Sequence, residues 1–412
     1  MRKGLKESGT PWTELKDQLE DIRSHDIDWR SGKTHVYVFH SGDEVLQVAH
    51  DAYGMFISEN GLGPGAFPSL KRMENEVLDR ALDLQMAPEN AVGSMTSGGT
   101  ESIILALKAC RDHARANGCN AAVPEVIAPY SVHPAFDKGA HLLGLKITRV
   151  PLQDFVADVD AMAQQVNADT IMLVGSAPCF PYGVTDSIAA LSDLAQDKNL
   201  WLHVDACVGG YIAPFVKMLG EPVVDYNFSI PGVTSMSADL HKYGYAAKGA
   251  STVLYRDKEH RAHQVFDFDN WPSGHMFTPT LTGTRPGGAI AAAWAVMGFL
   301  GVDGYKQLAK RICDTRKKIA DAVTTMGFTV FGAPELSLIS FGSQEFDVLA
   351  VGEGLYQQGW MSSRTQDPDG IHLMISPEHD QSVNEYLDVL DKLVQEVRSG
   401  KRKRASSEIS YS

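Results

Sequence analysis

The stretch SADLHKYGYAAKGAS, residues 237–251, places two lysines six residues apart, directly behind an apolar run that is typical of a buried strand. Lys242 follows a histidine, and Lys248 stands among small residues. A partly desolvated lysine loses its proton readily and becomes a nucleophile toward aldehydes. Most lysines are solvated surface charges instead, so the stretch indicates a reactive amine only if the rest of the chain supplies matching groups.

The stretch SMTSGGTES, residues 94–102, predicts an anion site at the start of a helix. Gly98 and Gly99 allow a tight turn, and Thr100 opens a run with helical periodicity. The unpaired N–H groups of a helix start, together with its positive dipole end, bind phosphate. The alternative is an ordinary glycine-containing helix cap. A Walker loop is excluded because no GKS or GKT follows.

The stretch LHVDACVGG, residues 202–210, places Asp205 at the carboxyl end of a buried strand, where parallel sheets bind their ligands. Taken alone, Asp205 is more simply a residue that caps the next loop. The order of the three features is more informative, because a pyridoxal phosphate site needs all of them. The helix start binds the phosphate, the carboxylate keeps the pyridine nitrogen protonated, and the lysine forms an imine with the aldehyde.

Two histidines and one turn extend this site. His133, in PYSVHPAFDKG, follows another predicted strand, so it can stack on the cofactor ring and move protons, although a packed core histidine fits the pattern as well. His241 adjoins the lysine and can reach a phosphate. The stretch TLTGTRPGG, residues 280–288, supplies hydroxyls and exposed backbone, or is simply the entry to the next helix.

Short apolar runs alternate with helical patterns from about residue 88 to residue 288, which predicts a mostly parallel sheet with helices on both faces. The fold class is therefore α/β, with a smaller C-terminal α+β domain. We predict an N-terminal arm over residues 1–60, a large cofactor-binding domain over 61–300 and the C-terminal domain over 301–400. The charged tail, residues 401–412, is predicted to be disordered.

Composition excludes several classes of protein. The net charge of −14 argues against nucleic acid or an anionic membrane as the partner. Five cysteines without a CxxC pair favour reduced thiols in a cytoplasm and predict no metal site. The polar N-terminus is unlike a signal peptide, and the apolar run AIAAAWAVMGFLGV, residues 289–302, is too short to span a bilayer. We expect a soluble cytoplasmic protein.

Several motifs resemble those of the sphingosine-1-phosphate lyases in order and spacing, over roughly residues 54–376. The resemblance is carried by MTSGGTES (95–102), EVIAPYSVHPAFDKGA (125–140), HVDACVGGYIAPF (203–215), SMSADLHKYGYAAKGAS (235–251), TGTRPGG (282–288) and GAFPSLKRMENEV (65–77). The wider group is the fold-type I, group II pyridoxal phosphate decarboxylase-like enzymes. The resemblance implies a homodimer whose active sites lie at the subunit interface.

The resemblance also implies residue roles. Lys242 should form the imine, Asp205 should pair with the pyridine nitrogen, and His133 should stack on the ring; these three are the predicted catalytic residues. Lys248 should face the polar head of the substrate. The cofactor phosphate should be held by the helix start and His241, and by a hydroxyl from the partner subunit: Ser97, Gly98, Gly99, Thr100, His241 and Thr284.

The chain departs from the family pattern at two substrate-binding positions. A histidine of the family is replaced by Gly63. A family tyrosine is replaced by Phe39, with His40 adjacent, or by Tyr37 if the register shifts. Both family residues face the substrate phosphate, so the cofactor chemistry is unaffected while the headgroup site differs.

The predicted function is retro-aldol cleavage of a phosphorylated long-chain 2-amino-3-hydroxy base, similar to sphingosine-1-phosphate, into a fatty aldehyde and phosphoethanolamine. The alternative is an amino-acid α-decarboxylase of the same group, which would use the same cofactor residues. A lyase for a different amino alcohol and a non-catalytic binding protein on the same fold are the remaining alternatives.

Overall fold

A computed structural model describes residues 4–404 of the chain. Residues 405–412 of the predicted disordered tail lie outside the described residues. The strands of the described part are β1 Val92–Thr96, β2 Glu125–Pro129, β3 Lys146–Val150, β4 Leu152–Gln153, β5 Val156–Ala157, β6 Thr170–Ser176, β7 Trp201–Asp205, β8 Val233–Ala238, β9 Ser251–Tyr255, β10 Phe266–Phe268, β11 Met276–Thr278, β12 Thr329–Val330, β13 Leu338–Gly342, β14 Ser363–Gln366 and β15 Asp369–Met374.

Helices alternate with the strands along the chain. They are α1 Trp12–Arg23, α2 Asp43–Met55, α3 Pro68–Leu84, α4 Gly99–Ala116, α5 Ala135–Leu143, α6 Val159–Gln165, α7 Ile188–Asp197, α8 Ala213–Met218, α9 Lys258–Ala262, α10 Gly287–Thr325, α11 Val348–Gln357 and α12 His379–Arg398, with a short 3-10 helix at Trp29–Ser31.

A seven-stranded sheet organises the chain, with the order β1-β9-β8-β7-β6-β2-β3. The five strands from β8 to β3 run parallel, and β9 is antiparallel to both of its neighbours. The central strands β2, β6, β7 and β9 are buried along their whole length, as expected for strands with helices on both faces. The prediction of a mostly parallel α/β sheet is confirmed.

Strand β1 was not predicted from the sequence. Its residues, VGSMT, are mixed in polarity and include Gly93, so they lack the continuous apolar run of the other strands. The strand exists because it pairs with β9, whose Tyr255 lies opposite Val92 although the two are far apart in the chain. Non-local pairing therefore outweighs local propensity here.

The C-terminal part forms a second sheet of four antiparallel strands, β12-β13-β15-β14, with α11 packed against it and α12 packed against α11. This agrees with the α+β character expected there, while the exact domain boundaries stay a prediction. Arg402 forms an ion pair with Glu396 and a hydrogen bond with Gln357. The start of the predicted tail thus contacts the last two helices.

Helix α10 joins the two parts and is interrupted once, at Gly301, where φ is +53°. The residues before Gly301 are mostly apolar and those after it are amphipathic, so two helical segments of different character follow one another end to end. By length and composition α10 is the one helix among residues 4–404 that could cross a membrane. Half of its most apolar window is buried, however, and the helix packs against α2, α3 and α12, which is the environment of a core helix.

Candidate active site

A cavity of about 500 Å³ opens at the carboxyl edge of the large sheet, where β7 and β8 end and α4 begins. Parallel strands bring residues that are distant in sequence to this edge. The cavity is lined by eight of the predicted cofactor and catalytic residues and by two of the predicted substrate residues: Ser97, Gly98, Gly99, Thr100, His133, Asp205, His241, Lys242, Phe39 and Lys248.

The start of α4 forms one wall of the cavity. Gly98 caps the helix without a side-chain hydrogen bond, so the first N–H groups of α4 are left for a ligand. Gly99 is required by close packing, because a Cβ there would lie 2.7 Å from Cys207 Sγ and 2.8 Å from Asp239 Oδ2. The glycine pair thus lets the helix end approach the floor of the cavity.

Glu101 fixes this helix start. Its Oε2 accepts hydrogen bonds from the backbone N–H (2.7 Å) and the hydroxyl (2.6 Å) of Ser97. Its Oε1 accepts from the backbone N–H of Leu281 at 2.9 Å. One buried carboxylate is therefore hydrogen-bonded both to Ser97, just before α4, and to the loop that carries Thr284. Glu101 was not among the residues predicted for the site.

Lys242 lies in the connection between β8 and β9, 3.0 Å from Asp239 Oδ2. Burial acts to lower the pKa of the Lys242 amine, but the nearby acidic groups, Asp239 first, outweigh it and raise that pKa above its ordinary value. The expectation of a lysine that loses its proton readily is therefore wrong for Lys242 in this cavity, because the carboxylate beside it favours the charged form. Asp239 is almost fully buried, and the same contact lowers its pKa despite burial. Sequence reasoning missed Asp239, although its position three residues before the lysine was a signal.

Asp205 ends β7 and is 7% exposed, with its carboxylate on the cavity wall. Its Oδ1 accepts hydrogen bonds from the backbone N–H of Cys207 and from the hydroxyl of Ser237, both at 3.1 Å. Because both bonds use Oδ1, Oδ2 is available to a ligand. The donors to this buried carboxylate are a loop N–H and a serine of the neighbouring strand, which offset the cost of burying its charge.

His133 follows β2 and faces the same cavity. Its Nδ1 accepts a hydrogen bond from the backbone N–H of Ala135 at 3.1 Å, so the neutral ring carries its proton on Nε2. Burial lowers the pKa of His133, with Asp205 opposing the shift. The residue is therefore a neutral donor near pH 7.

Lys248 and Phe39 line the cavity and contact each other, and with Tyr37 they form what we call its rim. The Lys248 amine lies 4.8 Å from the centre of the Phe39 ring, a cation–π contact, and donates a hydrogen bond to the His241 carbonyl at 3.2 Å. Burial, aided by the charge of Lys242, lowers the pKa of Lys248 to about 8. Tyr37 lines the cavity beside them.

Three predicted residues lie away from this cavity. Thr284 is exposed on its own loop, and Gly63 accepts hydrogen bonds from the backbone of the turn that follows it. The His40 ring packs edge-on against Trp29, at 5.2 Å between centres, and its Nε2 is 3.7 Å from Asp43. The assigned ligand roles of these residues stay predictions.

A model of the pyridoxal-dependent decarboxylase conserved domain matches residues 3–344. Sphingosine-1-phosphate lyase of Oryza sativa subsp. japonica is 38% identical over 93% of this chain and 72% of its own length. The solved sphingosine-1-phosphate lyase of Burkholderia pseudomallei superposes with a TM-score of 0.93 at 36% identity, over 97% of this chain and 94% of that chain. This chain belongs to the sphingosine-1-phosphate lyases of the pyridoxal-dependent decarboxylase family.

Pyridoxal phosphate is therefore the cofactor, and the residues of the cavity fit it. His241 Nδ1 and Asp239 Oδ1 are buried in its wall without a hydrogen-bond partner among residues 4–404. Such atoms are costly unless a ligand or water completes them. The N–H groups of Gly99 and Thr100 suit a phosphate, Asp205 Oδ2 suits a protonated ring nitrogen, and the Lys242 amine suits an aldehyde.

The lyases share their fold with enzymes of other specificity. Glutamate decarboxylase of Lactobacillus brevis superposes with a TM-score of 0.84 at 20% identity, a likeness of fold alone. The α/β architecture thus does not separate a lyase from a decarboxylase.

Proposed function

We propose that the protein cleaves a phosphorylated long-chain 2-amino-3-hydroxy base, of the sphingosine-1-phosphate type, into a fatty aldehyde and phosphoethanolamine. The observation that carries the proposal is the convergence of Lys242, Asp205 and His133 with the start of α4 on one cavity. The amino-acid decarboxylase alternative would need the same four features. It is disfavoured because the relatives of 34–38% identity that cover most of the chain carry the name of the lyase.

The chain's own residues bind and orient the reactants. When bound, pyridoxal phosphate supplies the electron sink that accepts the electron pair of the broken Cα–Cβ bond. Asp205 stabilises positive charge through Oδ2, and the N–H groups at the start of α4 hold the phosphate. Asp239 holds the Lys242 amine at a fixed place in the cavity.

Cleavage requires removal of the proton of the C3 hydroxyl. His133 is unsuited to take this proton, because its Nδ1 is engaged by Ala135 and its Nε2 carries hydrogen. It can donate a hydrogen bond instead.

The substrate headgroup is assigned to the rim formed by Lys248, Phe39 and Tyr37. The Lys248 amine is the cation of this rim, and the Phe39 ring limits its movement. The positions that Gly63 and His40 occupy supply no side-chain contact to this cavity within the described chain. The rim lysine therefore carries most of the recognition of the phosphate.

We also propose a cytoplasmic homodimer in which Thr284 completes the cofactor site of the partner subunit. Thr284 is exposed, and the hairpin β10–β11 near it presents apolar side chains to solvent, as an interface would. The apolar residues of this region are Phe266, Phe268, Trp271, Phe277 and Leu281. The five cysteines are unpaired, which suits a reducing compartment.

Product analysis tests the proposed reaction. Cofactor-loaded protein is incubated with sphingosine-1-phosphate and, separately, with a panel of amino acids, and long-chain aldehyde and carbon dioxide are measured. Aldehyde with an equal amount of phosphoethanolamine is expected from the first substrate only. Carbon dioxide without aldehyde would instead establish the decarboxylase.

The position of the reactive amine is tested separately. Borohydride reduction should attach the cofactor covalently to Lys242, located by mass spectrometry of the peptides. Lys242→Ala should abolish turnover, whereas Lys217→Ala, which changes an exposed lysine paired with Asp225, should not. Turnover by Lys242→Ala would reject the assignment.

A further inference from the structure

A row of polar side chains runs along two neighbouring strands of the large sheet and ends at Asp205. Successive residues of a strand point to opposite faces, so Trp201, His203 and Asp205 of β7 share one face. On the neighbouring parallel strand β8, Ser235 lies opposite His203, and Ser237 lies opposite Asp205. All five side chains are buried. A polar row in an otherwise apolar layer is costly unless each member is satisfied.

Each member of the row is hydrogen-bonded to the next. The Trp201 indole N–H donates to Ser235 Oγ at 2.7 Å, and Ser235 Oγ lies 2.7 Å from His203 Nδ1. His203 Nε2 lies 3.3 Å from Ser237 Oγ, which donates to Asp205 Oδ1 at 3.1 Å. The row therefore links Trp201, at the start of β7, to the Asp205 carboxylate, at its end beside the cavity.

The direction of every bond follows from the hydrogens available. Ser237 has one hydroxyl hydrogen, and Asp205 takes it, so Ser237 can only accept from His203 Nε2–H. The neutral His203 then has a bare Nδ1, which must accept the hydrogen of Ser235. Ser235, having donated, accepts from the indole. A single arrangement satisfies all groups, and in it every hydrogen bond points toward Asp205.

The surroundings keep His203 neutral. Burial lowers the pKa of His203 to about 4, and the charge of Asp205 only partly opposes this shift. The Phe136 ring packs edge-on against it at 5.7 Å. At the far end, Trp201 contacts the rings of His260 and His113 at 4.8 and 5.7 Å. Because an indole does not release its proton near neutral pH, the row orients hydrogen bonds and does not conduct protons.

We propose that His203, held as its Nε2–H tautomer by Ser235, is a positioning residue that acts through Ser237 to fix Asp205 for the cofactor ring nitrogen. The proposal rests on the proposed function only in that Asp205 meets the ring nitrogen. Because Ser237 donates a hydrogen bond to Oδ1 of Asp205, Oδ2 remains available to the ligand. Hydrogen bonds in such a chain polarise one another, so the outer members strengthen the last bond.

The tautomer is measured directly in wild-type protein. Long-range ¹H–¹⁵N correlation spectra of protein labelled at histidine separate protonated from unprotonated ring nitrogens, and the His203 signals are those missing in His203→Gln. We expect a protonated Nε2 and an unprotonated Nδ1 from pH 6 to pH 8, without cofactor. A protonated Nδ1 at His203 would overturn the proposal.

The action on the cofactor is measured with Ser235→Ala, which touches neither the cavity nor Asp205. Removing the donor to Nδ1 frees His203 to take the other tautomer, so Ser237 must donate to it and Asp205 loses a bond. We expect cofactor affinity to fall about fivefold, the equivalent of one hydrogen bond, and the ¹⁵N signal of the bound ring nitrogen to shift.

Two variants separate this effect from general damage to the strand. Thr234→Val removes a hydroxyl from the same strand on its other face and should leave both readouts unchanged, while Ser235→Thr should restore them. Equal cofactor affinity in Ser235→Ala and Thr234→Val would overturn the proposal. Neither readout uses the cleavage reaction, so a failure of the proposed function would be recognised separately from a failure of this row.

Discussion

Lys242 and Lys248 lie in one short connection, yet their surroundings shift the two amine pKa values in opposite directions. Both amines lose solvation. Lys242 has the Asp239 carboxylate at 3.0 Å, which outweighs the loss. Lys248 forms no ion pair within residues 4–404 and contacts an aromatic ring and a carbonyl instead. A single buried carboxylate thus distinguishes two otherwise similar side chains.

The pKa of Lys248 predicts a pH dependence for headgroup binding. A phosphate monoester is already a dianion above pH 7, so the change comes from the lysine. Because that pKa is lowered to about 8, Lys248 is mostly charged at pH 7 and mostly neutral at pH 9. We expect the affinity for phosphoethanolamine to fall about tenfold between these values, measured by calorimetry.

Lys248→Arg serves as the control, because a guanidinium stays charged over this range. Its affinity should change less than twofold between pH 7 and pH 9. An equal fall in both proteins would show that some other group controls the binding.

At the scale of elements, Glu101 joins the start of α4 to the loop after β11, because its carboxylate accepts a hydrogen bond from Leu281. Glu101→Ala removes three hydrogen bonds to a charged group, which frees Ser97 and the start of the helix. We expect roughly tenfold weaker cofactor affinity, read from the absorbance of the bound cofactor during titration.

Asp112→Asn is the matched control on the same helix. Asp112 pairs with Lys108 and Arg111, away from the cavity, so cofactor affinity should be unchanged. Unchanged affinity in Glu101→Ala as well would mean that the helix start holds its shape without this carboxylate.

The break in α10 predicts opposite effects for two neighbouring glycines. Gly301 has φ of +53°, which an L-residue adopts with strain, so Gly301→Ala should lower the free energy of unfolding by about 1 kcal/mol. Gly298 is helical and its Cβ position is open, so Gly298→Ala should raise it by roughly 0.5–1 kcal/mol. Urea denaturation measures both, and equal signs would contradict the assigned break.

The elements were largely predictable from the sequence, because buried parallel strands are continuous apolar runs and glycine pairs mark a helix start. The site residues that a neighbouring strand or its following loop contributes were not predictable in this way. Asp239 has no apolar pattern to mark it, and Ser235 and His203 form a unit only through strand register. Register between strands is a property of the folded sheet that local patterns do not encode.

At the scale of the whole molecule, the predicted substrate and cofactor residues divide into those that line the cavity and those that do not. Lys248 and Phe39 line the cavity, whereas Gly63, His40 and Thr284 do not. The resemblance assigns Thr284 to the cofactor site of a partner subunit, and that assignment stays a proposal.

Hybrid dimers test the shared site. Thr284→Glu should block the partner's phosphate site, and Lys242→Ala should block its own. A hybrid of the two holds one intact site, so an equal mixture after subunit exchange should regain about a quarter of wild-type activity. Lys242→Ala mixed with Lys242→Arg should regain none. Absence of recovery in the first mixture would place Thr284 outside the partner's site.

Strand β9 runs against β8, and residues 239–250 close the gap between them. Most connections in this sheet are long crossovers, but Lys242 lies in a short connection between two strands that pair with each other. A reporter peptide inserted at residues 117–124, a largely exposed connection, should leave folding and cofactor binding unchanged. The same insertion at residues 244–249 would carry the amine away from its carboxylate, so natural length variation among such enzymes should be sparse at that place.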